Sequence, residues 1–188
     1  MAVIVAVPVI GMTIIAPALT IIKNDLNISF ENTQLILTLY FTFLALGQIL
    51  SGPFSDKYGR KPILLLGASI YSISAFFASL SSNIEVLLIL RCFQGFGAAA
   101  CLSVGRTILS DCYEIKEAAK EMSKMTAIMA VIPISCFIFG GFLAEFLGWR
   151  TNLIALGIIS LILIIAMSFF LNETLTKKAQ SISFKNMF

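Results

Sequence analysis

The residues best equipped for chemistry crowd into one turn, Gly52-Pro53-Phe54-Ser55-Asp56-Lys57-Tyr58-Gly59-Arg60-Lys61-Pro62, which sets four charges between two apolar runs. An aspartate four residues ahead of an arginine can make a charge-assisted hydrogen bond across a helical turn. At a helix end, Asp56 could equally cap a neighbouring helix start. Gly59 suits a tight turn with positive φ, and Gly52 removes a side chain where a partner helix could approach. Asp111 closes a later apolar run and could share Arg60. A plainer reading stays open, in which the basic residues only hold a loop on one side of a membrane.

A second group is Arg91, Gln94 and Gly95, at helical spacing inside an apolar run. A guanidinium there is costly unless it faces a cavity or a partner. The alternative is that it snorkels towards the nearer membrane surface, which is the default for Arg106, one turn from a span end. The aromatic residues Tyr40, Phe41, Phe43, Phe137 and Phe139 either line a pocket for lipophilic cargo or simply pack and face lipid.

Other chemistries find no residues. The chain has no histidine, no GxSxG, HExxH or P-loop lysine motif, and no paired carboxylates at depth, so no enzyme is expected. Neither a selectivity ring nor a polar stripe supports a channel. Cys92, Cys101, Cys112 and Cys136 show no metal spacing; three read as small buried hydrophobes and Cys112 as an exposed residue at a membrane edge.

These residues must be positioned by membrane-crossing helices. Hydrophobic residues are 59% and charged ones 12% of the 188 residues, more apolar surface than a water-soluble domain can hide. Nearly charge-free segments run over Ala2–Ile22, Asn32–Ser55, Pro62–Ile84, Val86–Ser110, Met125–Ala144 and Thr151–Asn172. Each has about 20 residues or more, enough for a helix to cross a bilayer. Barrel strands are shorter and alternate in polarity, which these runs do not. No basic stretch precedes the first run, so it reads as a retained span and not a cleaved signal. The net charge of +3 sits in short loops and not in a stripe, which argues against nucleic-acid binding.

Direction follows from Lys and Arg. Lys57, Arg60 and Lys61, then Lys116, Lys120 and Lys124, then Lys177, Lys178 and Lys185 fall on one side; Lys23 and Arg150 fall on the other. The imbalance places both termini in the cytoplasm. Gly52-x-x-x-Asp56-x-x-Gly59-Arg60 recurs 89 residues later as Gly141-x-x-x-Glu145-x-x-Gly148-Trp149-Arg150. A lag spanning three helices puts the second copy upside down, the inverted three-plus-three repeat of many secondary transporters. The expected fold is an all-α bundle of six transmembrane helices over residues 1–172, followed by a cytoplasmic tail, 173–188.

The turn at 52–62 resembles the cytoplasmic signature between helices two and three of the major facilitator superfamily, G-x-x-x-D-x-x-G-R-[RK]. Leu90–Ala100, LRCFQGFGAAA, is similar to that family's helix-four signature, R-x-x-Q-G-x-G-A. With PAL in the first span, Arg106 and Asp111 closing the fourth, and GWR after the fifth, the chain is most similar to the Bcr/CflA-type drug-resistance subfamily. It covers one six-helix half of a typical member.

The resemblance implies multidrug or small-molecule efflux by proton antiport and alternating access in a bacterial inner membrane. It implies a lipid bilayer, small lipophilic cargo and protons as partners, a second six-helix half or a homodimer, and no cofactor beyond the proton gradient. It makes Gly52, Asp56, Gly59, Arg60, Lys61 and Asp111 a conformational latch, and gives Arg91, Gln94 and Gly95 to the cavity and proton coupling. Thr13, Tyr40, Phe43, Pro133 and Phe137 are the candidate substrate pocket. Two features depart from the pattern. No acid stands near Thr13, where relatives carry a helix-one aspartate, and Cys136 and Phe137 replace a Gly-Pro pair. Competing readings are an inactive or structural remnant, with the tail as a cut linker, and a small-molecule importer.

Overall fold

The structure is a computed structural model that describes residues 2–171, 173 and 174. Helix α1 covers Ala2–Thr13; after a 3-10 turn at Ala16–Ala18 the first span resumes as α2, Leu19–Asp25. The remaining helices are α3 (Phe30–Tyr58), α4 (Arg60–Ser79), α5 (Ile84–Cys112), α6 (Ile115–Leu147) and α7 (Trp149–Phe170). Among the described residues they make six helical segments long and apolar enough to cross a bilayer. The rest of the expected tail, with Lys177, Lys178 and Lys185, lies outside the described residues.

Helix starts are marked by polar caps. The Ser29 side chain accepts from Asn32 N at 3.3 Å and the Asn83 side chain from Val86 N at 3.0 Å, each satisfying an amide the helix cannot. Glu31 and Glu85 lie in the same first turns, where the helix dipole favours negative charge. The Asn83 cap corrects the expected third span, which ends at Ser79, so that Ile84 opens α5. Likewise α6 starts at Ile115 and not at Met125, and the loop ahead of it shrinks to residues 113–114. Lys116, Lys120 and Lys124 are therefore not loop residues; they recur every four positions along the first turns of α6 and project from one helical face.

The break in the first span has a local cause. Pro17 has no N–H, and Ala18 N turns to Ile15 O at 2.8 Å, leaving the Ile14 carbonyl without its helical donor. Asn152 of α7 supplies the missing hydrogen: its Nδ2 donates to Ile14 O at 2.8 Å and to Gly140 O at 3.0 Å. Fully buried Asn152 thus pins the break to α6 and α7. Asn152→Leu, close in volume but without the donor, is expected to cost about 1–2 kcal/mol. A lower unfolding midpoint for the purified protein checks this; an unchanged one removes the pin.

Helix α5 is the centre of the bundle, packed against α3, α4 and α1, while α7 covers α4 and α6 covers α1. Gly95 lets α5 approach α3, because a Cβ there would collide with the Tyr40 carbonyl. Much of α6 is uncovered, with Val131, Ile134, Phe137, Ile138, Phe139 and Phe142 all exposed. The two repeats match at their corners: α3 and α4 meet at Gly59 (φ 104°, ψ 152°), and α6 and α7 meet at Gly148 (φ 86°, ψ 152°). Positive φ at both corners favours glycine.

Candidate functional site

At one end of the bundle the α3–α4 corner brings the expected charges together. Arg60 Nη1 bonds Asp56 Oδ1 one turn earlier, and Arg60 Nε donates to Asp111 Oδ2 at 3.1 Å at the end of α5. Nη1 also reaches Ser55 Oγ at 2.6 Å, and that hydroxyl donates back to Gly52 O at 2.8 Å. The Arg60 side chain is only 8% exposed, whereas Asp56 and Asp111 keep 43% and 30%. A nearly buried guanidinium thus presents two half-exposed carboxylates to whatever lies beyond this end.

Two members of the expected group, Lys61 and Gly52, sit differently. Lys61 Nζ donates to Ser168 O of α7 at 2.9 Å and stands outside the charge cluster. Gly52 has no atom within 4 Å of where a Cβ would be, so no helix of the described chain approaches it. Gly59 is the corner with positive φ. Its helix α4 begins without a side-chain cap from its own flank. Glu173 provides one from beyond α7, accepting from Arg60 N at 2.9 Å and Lys61 N at 3.2 Å. The exit of the last span is thereby tied to the charged turn.

The opposite end carries a counterpart. Asp25 Oδ2 accepts from Arg150 Nη1 at 2.8 Å and from the indole Nε1 of Trp149 at 3.0 Å. Arg150 Nη2 reaches Ser81 O at 3.2 Å, and its guanidinium lies 4.4 Å from the Trp149 ring. This clasp joins α2, the α4–α5 loop and the start of α7. The repeat matched Glu145 to Asp56, but Glu145 lies exposed on α6 and Asp25 is the acid that meets Arg150. The two clusters also sort the ends of the bundle: Asp56, Asp111 and Glu173 share one side; Asp25, Ser81 and Arg150 share the other.

Between the ends, Arg91 is 1% exposed, enclosed within the bundle. Its Nη1 donates to Gln94 Oε1 at 2.7 Å, and its guanidinium stands 6.0 Å from the Tyr40 ring. Tyr40 donates to Pro8 O at 2.9 Å. Tyr71 of α4 joins them, its hydroxyl lying with that of Tyr40 over Gly11. Arg91, Gln94 and Gly95 do share a face of α5, turned into the bundle.

The candidate pocket residues are dispersed. Thr13 is buried, donating to Val9 O at 2.8 Å; Tyr40 is in the core; Pro133 is half-buried on α6, and Phe137 is 53% exposed. Phe43 lines a cavity of about 420 Å³ with Ile89, Cys92, Phe93 and Phe96 between α3 and α5. A cavity of about 400 Å³ between α2 and α3 mixes Lys23, Thr20, Gln34 and Thr38 with Leu37 and Phe41. Cys101 is buried, Cys92 and Cys136 half-buried, and Cys112 exposed.

Asp25, Tyr71, Asn152 and Glu173 escaped the sequence reading. Asp25 is 125 residues from Arg150, and no spacing rule links them. The repeat carried a usable signal, since an arginine equivalent to Arg60 needs an acid on its own side.

A family model described as Major Facilitator Superfamily matches residues 1–186. The chain is 30% identical over 171 residues to a bicyclomycin resistance protein homolog of Haemophilus influenzae, covering 91% of this chain and 43% of that protein. It is 33% identical over 150 residues to a chloramphenicol resistance protein of Pseudomonas aeruginosa, covering 79% and 36%. Among solved structures, it matches a bacterial homolog of the human lysosomal transporter Spinster, inward-facing and unoccupied, with a TM-score of 0.73 at 23% identity, covering 87% and 41%. The human organic anion transporter MFSD10 matches with a TM-score of 0.66 at 18% identity, covering 98% and 50%. The chain spans about two fifths of the length of the curated relatives it matches.

Proposed function

Because the chain belongs to the major facilitator superfamily, we propose that it works as the amino-terminal six-helix half of a drug exporter. A second six-helix bundle, in the same or another polypeptide or as a second copy of this chain, completes the transporter. The relatives named for bicyclomycin and chloramphenicol resistance support efflux of small lipophilic compounds.

The observation that carries this reading is the Arg60 cluster. All of its members belong to one bundle, so it does not break apart when two bundles rock against each other. It works instead by holding Asp56 and Asp111 at the rim, where a helix N-terminus of the second bundle is attracted to them. That docked state is the outward-facing one, and it is released as cargo crosses by alternating access.

Export is powered by proton entry. The acids of the described spans lie at their ends, so the second bundle supplies the proton-carrying carboxylate. The basic side of the bundle faces the cytoplasm of a bacterial inner membrane, with both termini inside. Exposed Cys112 reports this orientation: a membrane-impermeant maleimide labels it in inside-out vesicles and not in intact cells. Labelling in intact cells overturns the assignment.

The whole reading is tested in a bacterium lacking its own efflux pumps, expressing this chain alone and together with a second six-helix half from a related exporter. Dye loss that needs the second half and collapses with the proton gradient supports the proposal. Dye retention in every combination favours a structural remnant, and dye gain favours an importer.

A further inference from the structure

Arg91 has more hydrogen-bonding capacity than its surroundings use. Among the described residues its Nε and Nη2, the Gln94 Nε2 and the Tyr71 hydroxyl are all buried without a partner. Arginine stays charged under any physiological condition. The titratable groups whose charge reaches it are Tyr71 and Tyr40, two neutral phenols, and Tyr40 spends its proton on Pro8 O. A full positive charge with one amide oxygen as acceptor, enclosed by α1, α3, α4 and α5, is far from compensated.

We propose that Arg91, Gln94 and Tyr71 form a binding site for a small inorganic monovalent anion of halide size within the bundle. The chemistry is one-sided. Three unused N–H groups and a hydroxyl can all donate, and one guanidinium supplies the charge, which suits an anion and repels a cation. A water would accept two hydrogens and leave the charge unmatched. Size narrows the choice further. With Arg91 1% exposed, a carboxylate carried on another bundle or on a bulky cargo has no approach, whereas a halide needs only transient side-chain movement. Chloride, the commonest such anion around cells, is the occupant. The site locks α5 to α4 and does not depend on the direction or existence of transport.

The test uses the purified full chain in detergent, exchanged into sodium gluconate, with sodium chloride or bromide substituted at constant ionic strength. Unfolding is followed by the fluorescence of Trp149, the sole tryptophan. Chloride and bromide are expected to raise the midpoint by several degrees along a saturating curve, since a ligand held only by the folded state stabilises it. Arg91→Gln abolishes the response, and Tyr71→Phe shifts its half-saturation at least threefold upward. An equal midpoint in gluconate and chloride, or an undiminished chloride response in Tyr71→Phe and Gln94→Leu, overturns the site. Should Arg91→Gln fail to fold, those two variants decide alone. A bromide peak beside the guanidinium in anomalous diffraction supports the assignment; bromide found elsewhere makes it an adventitious ion only and refutes it. Loss of export in cells touches none of these outcomes.

Discussion

Arg60→Ala is expected to leave the protein in the membrane in normal amount while dye efflux by the completed transporter falls to background, at least tenfold below wild type. Two consequences of the substitution act together. Removal of the guanidinium withdraws hydrogen bonds from Asp56, Asp111 and Ser55 at once, so the two carboxylates repel each other and no longer hold one geometry at the rim. The stability lost is modest. Breaking a buried ion pair costs several kcal/mol, but both acids remain substantially exposed and rehydrate, which brings the figure to about 1–3 kcal/mol. On the proposed docking of two bundles, transport suffers more than folding because the rim geometry is needed each time they redock. Arg60→Lys is not expected to rescue efflux: one ammonium cannot satisfy a carboxylate on α3, another on α5 and the Ser55 hydroxyl in a fixed fork. Asp56→Asn is expected to behave like Arg60→Ala, since it removes the charge offered to the second bundle. Wild-type efflux by either Arg60→Ala or Asp56→Asn would leave the cluster a topology marker and nothing more.

How much of this was legible beforehand depended on whether a feature is local. The spans were readable because lipid demands about 20 apolar residues whatever the tertiary contacts. The repeat was readable because both corners turn on a glycine with positive φ, with an arginine one residue on at the first and two residues on at the second. The Arg60–Asp56 pair is only four residues apart, across the Gly59 corner, and Asp111 was placed beside it by the side of the membrane alone. Boundaries failed where charge and structure disagree. Leu80, Ser81 and Ser82 carry no charge, so the apolar count ran through the turn that Asn83 caps. The three lysines at the start of α6 were read as loop because they are polar, although their spacing of four is helical. Arg91 was expected to face a cavity or a partner; Tyr40 of α3 and Tyr71 of α4 surround it, and contacts between helices 20 and more residues apart leave no trace in spacing.

The clasp at the opposite end supplies the second large effect, and its order of magnitude can be ranked in advance. Asp25→Ala is expected to destabilise the purified protein by about 2–3 kcal/mol, more than Arg150→Ala at about 1 kcal/mol. The arginine and aspartate side chains are 42% and 44% exposed, so their mutual attraction is screened and worth little alone. Trp149 is different. The residue is 2% exposed, and its indole N–H has Asp25 as its acceptor; without that oxygen a buried donor is orphaned. Asp25→Ala also frees α2, which hangs on the rest of the bundle beyond the 3-10 break. Asp25→Asn separates the two contributions, because its amide oxygen still accepts from the indole while the ion pair is gone. Its unfolding midpoint is expected near that of Arg150→Ala, and insensitive to salt over the range where wild type weakens. A midpoint for Arg150→Ala at or below that of Asp25→Ala would mean that the surface ion pair, and not the buried indole hydrogen bond, holds this end of the bundle together.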